Sequence, residues 1–206
     1  RDLHSFPTRR SSDLFKISGL KWYWSKKLYQ SMLKKSGGEK RVKKFSLEKK
    51  TLVNAKKIRN LKTLIFNNYL KKNKLKPRAG VINVIKYCKK NKIKIGFVTS
   101  TTKNNIDAVF ISLNKHLKKS DFDYIGHNKI IKNFNNKTDI YLHCLKKLKL
   151  SNKNCLAIED TEISLQYAKK AKLKCIAFPG DYHRSGKYKD SFIKVKRLNS
   201  IIFADL

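Results

Sequence analysis

The chain has 206 residues, 40% of them hydrophobic, which suffices for one domain or for a core with a small lobe and argues against wholesale disorder. No apolar run approaches the roughly 18 residues of a spanning helix, which argues against an integral membrane protein. The formal charge of +36 comes from 42 Lys and only 8 Arg, beside 17 Asn and 19 Ile, a set that A/T-rich codons raise together; phosphate and base recognition leans on the Arg fork, so the composition speaks against a nucleic-acid partner.

Residues 1–14 read RDLHSFPTRRSSDL and match, at every position, the translation of a common short-read sequencing adapter. They are set apart as an adapter-derived artefact, and the biological chain is expected to begin near Phe15. From Phe15 to about Lys76 the pattern is helical. Trp22, Trp24, Leu28, Tyr29 and Leu33 recur at helix-like intervals, and Ser36-Gly37-Gly38 breaks the run. Val42, Phe45 and Leu47 predict a short second element. Leu52, Ala55, Ile58, Leu61, Ile65, Tyr69 and Leu70 form one stripe of a longer helix. The span 15–76 therefore reads as a small all-helical lobe.

Pro77 to Gly80 marks a boundary, and the pattern changes over 77–206. Val81 to Lys90 is predicted helical, and Lys92 to Thr99 a buried strand. Asn105 to Lys118 predicts a helix, Phe122 to Ile125 a strand and Asp139 to Leu148 a helix. Cys155 to Ile158 predicts a buried strand, Glu162 to Ala171 a helix, Lys174 to Phe178 a strand and Phe192 to Val195 an edge strand. Helices alternating with short apolar strands predict an α/β domain with a mainly parallel sheet. Ligands of such sheets bind at the carboxyl ends of the strands.

Two strand ends carry chemistry. Past Thr99 stand Ser100, Thr101, Thr102, Lys103 and Asn104. Hydroxyls there, with the fresh amides of the next helix, can hold a phosphate oxygen; the same residues also cap helices. Past Ile158 stand Glu159, Asp160 and Thr161. Adjacent carboxylates suit a hard cation, and Asp160 equally suits a helix N-cap. His116, His127, His143 and His183 show no ligand spacing and read as surface or packing residues. The pairs Lys71-Lys72, Lys89-Lys90, Lys146-Lys147 and Lys169-Lys170 read as solvated helix faces. The cysteines at 88, 144, 155 and 175 lack zinc-finger spacing and read as small buried residues in a reducing compartment.

Taken in order, Gly19-Leu20-Lys21-Trp22-Tyr23-Trp24, Gly37-Gly38-Glu39-Lys40-Arg41, Lys62-Thr63, Arg78-Ala79-Gly80-Val81, Asp139-Ile140-Tyr141-Leu142 and Ile158-Glu159-Asp160-Thr161 resemble the haloacid dehalogenase-like hydrolases, and within them the CbbY-type and β-phosphoglucomutase-like phosphatases. The resemblance implies a Rossmann-like parallel sheet core with a small helical cap. It implies a Mg²⁺-dependent phosphatase acting on a small sugar phosphate through an aspartyl-phosphate. By position Ser100, with the backbone at Thr101, would hold a phosphate oxygen, Glu159 and Asp160 would bind or orient Mg²⁺, and Arg41 and Lys62 of the cap would meet a distal anionic group.

Three departures accompany the resemblance. The strand bearing the family's Asp-x-Asp, which belongs in the middle of the sheet, is absent from the chain, so the expected core over 77–206 lacks its first strand and its nucleophile, and the chain as written is expected to be inactive and poorly stable. The family's phosphate-binding Lys is replaced by Asn135, with Lys137 or Lys132 of the same loop left to reach in. The small Gly of the last motif is Ser164. The alternatives are a fold-retaining member that has lost catalysis, a related phosphomutase and, from charge alone, a basic nucleic-acid-binding protein. A cytoplasmic monomer (or, in a eukaryote, an organelle-stroma protein) with no membrane partner is expected.

Overall fold

The computed structural model describes residues 13–33, 37–130 and 137–200. The chain divides into two compact units, one reaching to Tyr69 and one beginning at Leu70. The division falls earlier than the Pro77–Gly80 boundary read from composition. Leu75, inside the span read as the lobe, is tied to the second unit by bonds from its amide to the main-chain and hydroxyl oxygens of Ser112.

The first unit is helical: residues 13–17, α1 (Lys26–Leu33), α2 (Gly38–Glu48) and most of α3 (Ala55–Lys72). Its core is aromatic. Phe15 meets Trp22 and Trp24 edge-on at 5.3 and 4.8 Å, and Phe45 meets the same two rings at 5.2 and 5.7 Å. Residues 20–25 are not helical, contrary to the periodicity reading. Trp22 and Trp24 are buried while Tyr23 between them is 65% exposed, the alternation of an extended segment rather than of a helix. Leu52 precedes α3 and is exposed, so it stands off the stripe assigned to it. Leu14, placed outside the fold by its adapter match, is only 2% exposed and its carbonyl accepts from Ser18. Residues 1–12 lie outside the described residues.

The second unit alternates helix and strand: α4 (Val81–Lys90), β1 (Gly96–Val98), α5 (Lys103–Leu113), β2 (Tyr124–Gly126), α6 (Thr138–Leu148), β3 (Leu156–Glu159), α7 (Glu162–Lys170), β4 (Lys174–Ala177) and β5 (Ile193–Lys194). Every ladder is parallel. Gly96 to Val98 pair with Tyr124 to Gly126, and Leu156 to Glu159 pair with Lys174 to Ala177, with β5 on the far side of β4. Where the sequence predicts one sheet interrupted in its middle, the described strands form two sheets, β1-β2 and β3-β4-β5. One apolar cluster joins Leu165, Ala168 and Ala171 to Leu173, Cys175 and Ala177 of the β4 segment. A second joins Val84 and Cys88 of α4 to Phe178 and Leu198.

Strand β1 is shorter than the predicted Lys92–Thr99. Lys92 takes φ +56°, its amide bonds Lys89 and the Ile93 amide bonds Cys88, so these two residues close α4, while Ile95 already bonds Asp123 beside β2. Helix α5 ends at Leu113, five residues before the predicted end at Lys118; the amides of His116 and Leu117 both turn back to the Leu113 carbonyl. Each Lys pair lies in the last turn of its helix, α3, α4, α6 or α7, where cations oppose the negative end of the helix dipole. All four cysteines are free, with Cys88 and Cys175 buried. No described helix is long and apolar enough to cross a membrane.

Gly80 opens α4 at φ +87°, in the left-handed region. A Cβ there would overlap the Leu198 main chain, 2.6 Å from its carbonyl carbon. Gly80→Ala is therefore expected to cost about 2–4 kcal/mol, from left-handed strain plus overpacking, and to lower the thermal midpoint by roughly 5–15 °C. Thermal unfolding followed by circular dichroism checks this; an unchanged midpoint would contradict it.

Candidate active site

The carboxyl ends of β1 and β3 open on one cavity of about 150 Å³. That space admits a phosphoryl group with water beside it. Its walls come from the β1–α5 loop (Thr99, Ser100), the start of α6 (Lys137, Ile140, Tyr141), the end of β3 (Glu159, Asp160) and one face of α7 (Ser164, Tyr167). Positions 137, 140 and 141 share a helix face by their spacing, as do 164 and 167.

The capping alternatives resolve by geometry. Thr102, not Ser100, caps α5: its side chain accepts from the Asn105 amide at 3.4 Å. Ser100 is left exposed at the cavity. The Thr101 amide donates to Thr99 Oγ1 at 3.2 Å and Thr101 does not line the cavity, so the backbone help expected there is already engaged. Thr161, not Asp160, caps α7: its Oγ1 accepts from the Ser164 amide at 3.1 Å. The Asp160 side chain is exposed at the cavity, while its main-chain oxygen accepts from Tyr188 Oη at 2.8 Å.

Glu159 is held differently. Tyr141 Oη donates to its Oε1 at 2.7 Å and also approaches the Ser164 carbonyl at 3.4 Å. Burial pushes the Glu159 carboxyl up to about 7, and the neighbouring Asp160 adds to this; the Tyr141 and Ser164 hydroxyls act in the opposite sense. Burial and the adjoining Glu159 push the Tyr141 phenol far above its ordinary range, so it stays a donor. Lys137 precedes α6, with its ammonium 5.6 Å from the centre of the Tyr167 ring.

Two carboxylates are fewer than the three side-chain donors of a dedicated metal cage, and no such triple exists among the described residues. Mg²⁺ needs no cage: one or two carboxylates with waters and substrate phosphates suffice. Glu159 and Asp160, hard oxygen donors in an otherwise acid-poor chain, fit that ion. Asp121 and Asp123, the one Asp-x-Asp pair in the sequence, lie at the amino end of β2 and are engaged elsewhere, with Lys89 and with the Ile95 amide. Arg41 lies in α2 and Lys62 in α3, both in the first unit; Lys62 Nζ donates to Tyr29 Oη at 3.4 Å. Lys132 and Asn135 lie outside the described residues. No described histidine lines the cavity; His143 instead shares a 2.6 Å bond with Tyr124. The sequence reading missed Tyr141 and Tyr167 as site residues, although their places on the faces of α6 and α7 were available from helical spacing.

A model of the haloacid dehalogenase-like hydrolases matches residues 23–178. Protein CbbY of Cereibacter sphaeroides is 26% identical over 183 residues, 87% of this chain and 80% of that protein. Crystal structures of CbbY from Rhodobacter sphaeroides, one in complex with phosphate and one of a variant in complex with xylulose-(1,5)bisphosphate, superpose with a TM-score of 0.78 at 24% identity, covering 92% of this chain and 85% of that one. β-Phosphoglucomutase from Clostridium difficile has a TM-score of 0.73 at 21% identity, covering 96% of this chain and 87% of that one.

The raised carboxyl of Glu159 makes a signed prediction. Between its ordinary value of 4.5 and about 7 the folded state holds a proton that the unfolded state has released. Stability of the metal-free protein therefore falls as pH rises through that window, by at most about 1.4 kcal/mol per pH unit. Glu159→Gln should remove this contribution, seen as a flatter pH profile of urea midpoints than the parent's. Parallel profiles would contradict the assignment.

Proposed function

The chain belongs to the haloacid dehalogenase-like hydrolases, and we propose that it is a Mg²⁺-dependent phosphatase acting on a small sugar phosphate through an aspartyl-phosphate. The observation that carries this reading is the convergence of Ser100, Lys137, Glu159 and Asp160 on one cavity at the carboxyl ends of two parallel strands. The phosphate and sugar bisphosphate in the CbbY structures support the substrate class.

Each wall has a separable task. The Ser100 hydroxyl, engaged by no described residue, donates to a phosphate oxygen. Lys137 adds a charge-assisted bond and takes over the neutralising task that Asn135 cannot perform. Glu159 and Asp160 would hold Mg²⁺, which when bound withdraws charge from the transferring phosphoryl group. Tyr141 fixes the Glu159 carboxylate and, staying protonated, does not compete for the cation.

The proposed transfer forms a bond from an aspartate carboxylate oxygen to phosphorus as the ester P–O bond breaks. The sugar oxygen leaves with a proton from a second aspartate. Water then attacks the phosphorus of the acyl phosphate and releases inorganic phosphate. By the resemblance both aspartates belong to the Asp-x-Asp strand that precedes the cap.

The test is turnover by protein expressed from the complete reading frame of the source gene. Sugar phosphates should release inorganic phosphate with Mg²⁺ and not after chelation. Ser100→Ala and Lys137→Met should each lower kcat/KM by about 10²–10³. Chelator-resistant turnover, or full activity in both variants, would refute the reading. Return of the phosphoryl group to the sugar, with no inorganic phosphate released, would identify a phosphomutase instead.

A further inference from the structure

A lysine that replaces a phosphate-binding residue from a different place in a loop has a long stem to restrain. The structure supplies a restraint from a different helix. The Tyr167 ring lies on the α7 face of the cavity, and the Lys137 ammonium stands 5.6 Å from its centre, within cation–π range. Both residues line the cavity, so the lysine and the ring share one wall. Lys170, one turn further along α7, stands 5.9 Å from the same ring but does not line the cavity.

We propose that Tyr167 is a positioning residue for the phosphate site: its ring is the platform that presents Lys137 to a phosphoryl group docked against Ser100. The proposal rests on the reading of this cavity as a phosphate site. It assigns a purpose to an aromatic ring that no carboxylate or hydroxyl chemistry of the site requires. It also explains how a lysine displaced from position 135 can still serve. The face of the ring carries the effect, so the phenolic hydroxyl is dispensable.

The experiment titrates inorganic phosphate, with Mg²⁺ present, into protein expressed from the complete reading frame, with calorimetry as the readout. Tyr167→Leu should weaken phosphate binding about two- to fivefold, the size of an exposed cation–π contact. Tyr167→Phe, which keeps the ring, should bind as the parent does. Lys137→Met should weaken binding at least as much as Tyr167→Leu, and the double variant Lys137→Met/Tyr167→Leu should bind no worse than Lys137→Met alone. Lys170→Met should bind as the parent does. Circular dichroism on each variant separates loss of binding from loss of fold, and Tyr167→Phe keeps the test decisive if Tyr167→Leu unfolds.

Parental affinity in Tyr167→Leu, with Lys137→Met weakened, overturns the platform and leaves the phosphate site standing. Equal losses in Tyr167→Phe and Tyr167→Leu overturn it as well, because the hydroxyl rather than the ring would then matter. Additive losses in the double variant overturn the coupling. A Lys137→Met that binds normally removes Lys137 from the phosphate site, and the platform with it, while a parent that binds no phosphate removes the phosphate-site reading as well.

Discussion

The hydroxyl of Tyr141 donates to Glu159 across 2.7 Å, and the candidate site is organised around that bond. It joins the first turn of α6 to the last residue of β3 and reaches the Ser164 carbonyl on α7. Glu159 is half-buried at the cavity wall, and this bond gives its carboxylate a protein donor while linking the three elements to one another. The Glu159 main chain is tied as well, its carbonyl accepting from the Phe178 amide at 2.7 Å just past β4. The cavity is therefore walled by elements that hydrogen bonding has already brought together.

Electrostatics divide the same region from the rest of the surface. Several lysines stand at helix ends, where Lys89 reaches Asp121 at 2.7 Å and Lys169 reaches Asp190 at 3.0 Å. Such exposed pairs add little stability. At the end of β3 the balance reverses locally: two carboxylates adjoin and one of them is half-buried. Their mutual repulsion and the burial of Glu159 both disfavour the ionised pair. A divalent cation relieves that cost directly, which links the geometry of β3 to the chemistry proposed for it.

Much of this was legible in the sequence because it depends on local pattern. Helix α4 spans Val81–Lys90 as its periodicity predicts, and α6 and α7 fall within a residue of expectation. The strand ends at Ser100 and at Glu159-Asp160 were identifiable because short apolar runs give way there to polar residues. The rest needed distances. Whether Ser100 or Thr102 caps α5, and whether Asp160 or Thr161 caps α7, turns on which oxygen faces which amide, and all four residues are acceptable caps. The alternation of Trp22 and Trp24 mimics a helix when neighbours such as Leu28 and Tyr29 belong to one. Tyr141 sits in one of the motifs of the resemblance, but its role, like that of Tyr167, comes from what α6 and α7 face once the strands are paired.

A crystal structure of the protein grown with Mg²⁺ and orthovanadate tests the central claim most directly. The account predicts vanadate in the cavity, within hydrogen-bonding distance of Ser100 Oγ and Lys137 Nζ, with a cation on the Glu159 and Asp160 carboxylates. Vanadate bound elsewhere, or a cation bound away from the end of β3, would contradict it.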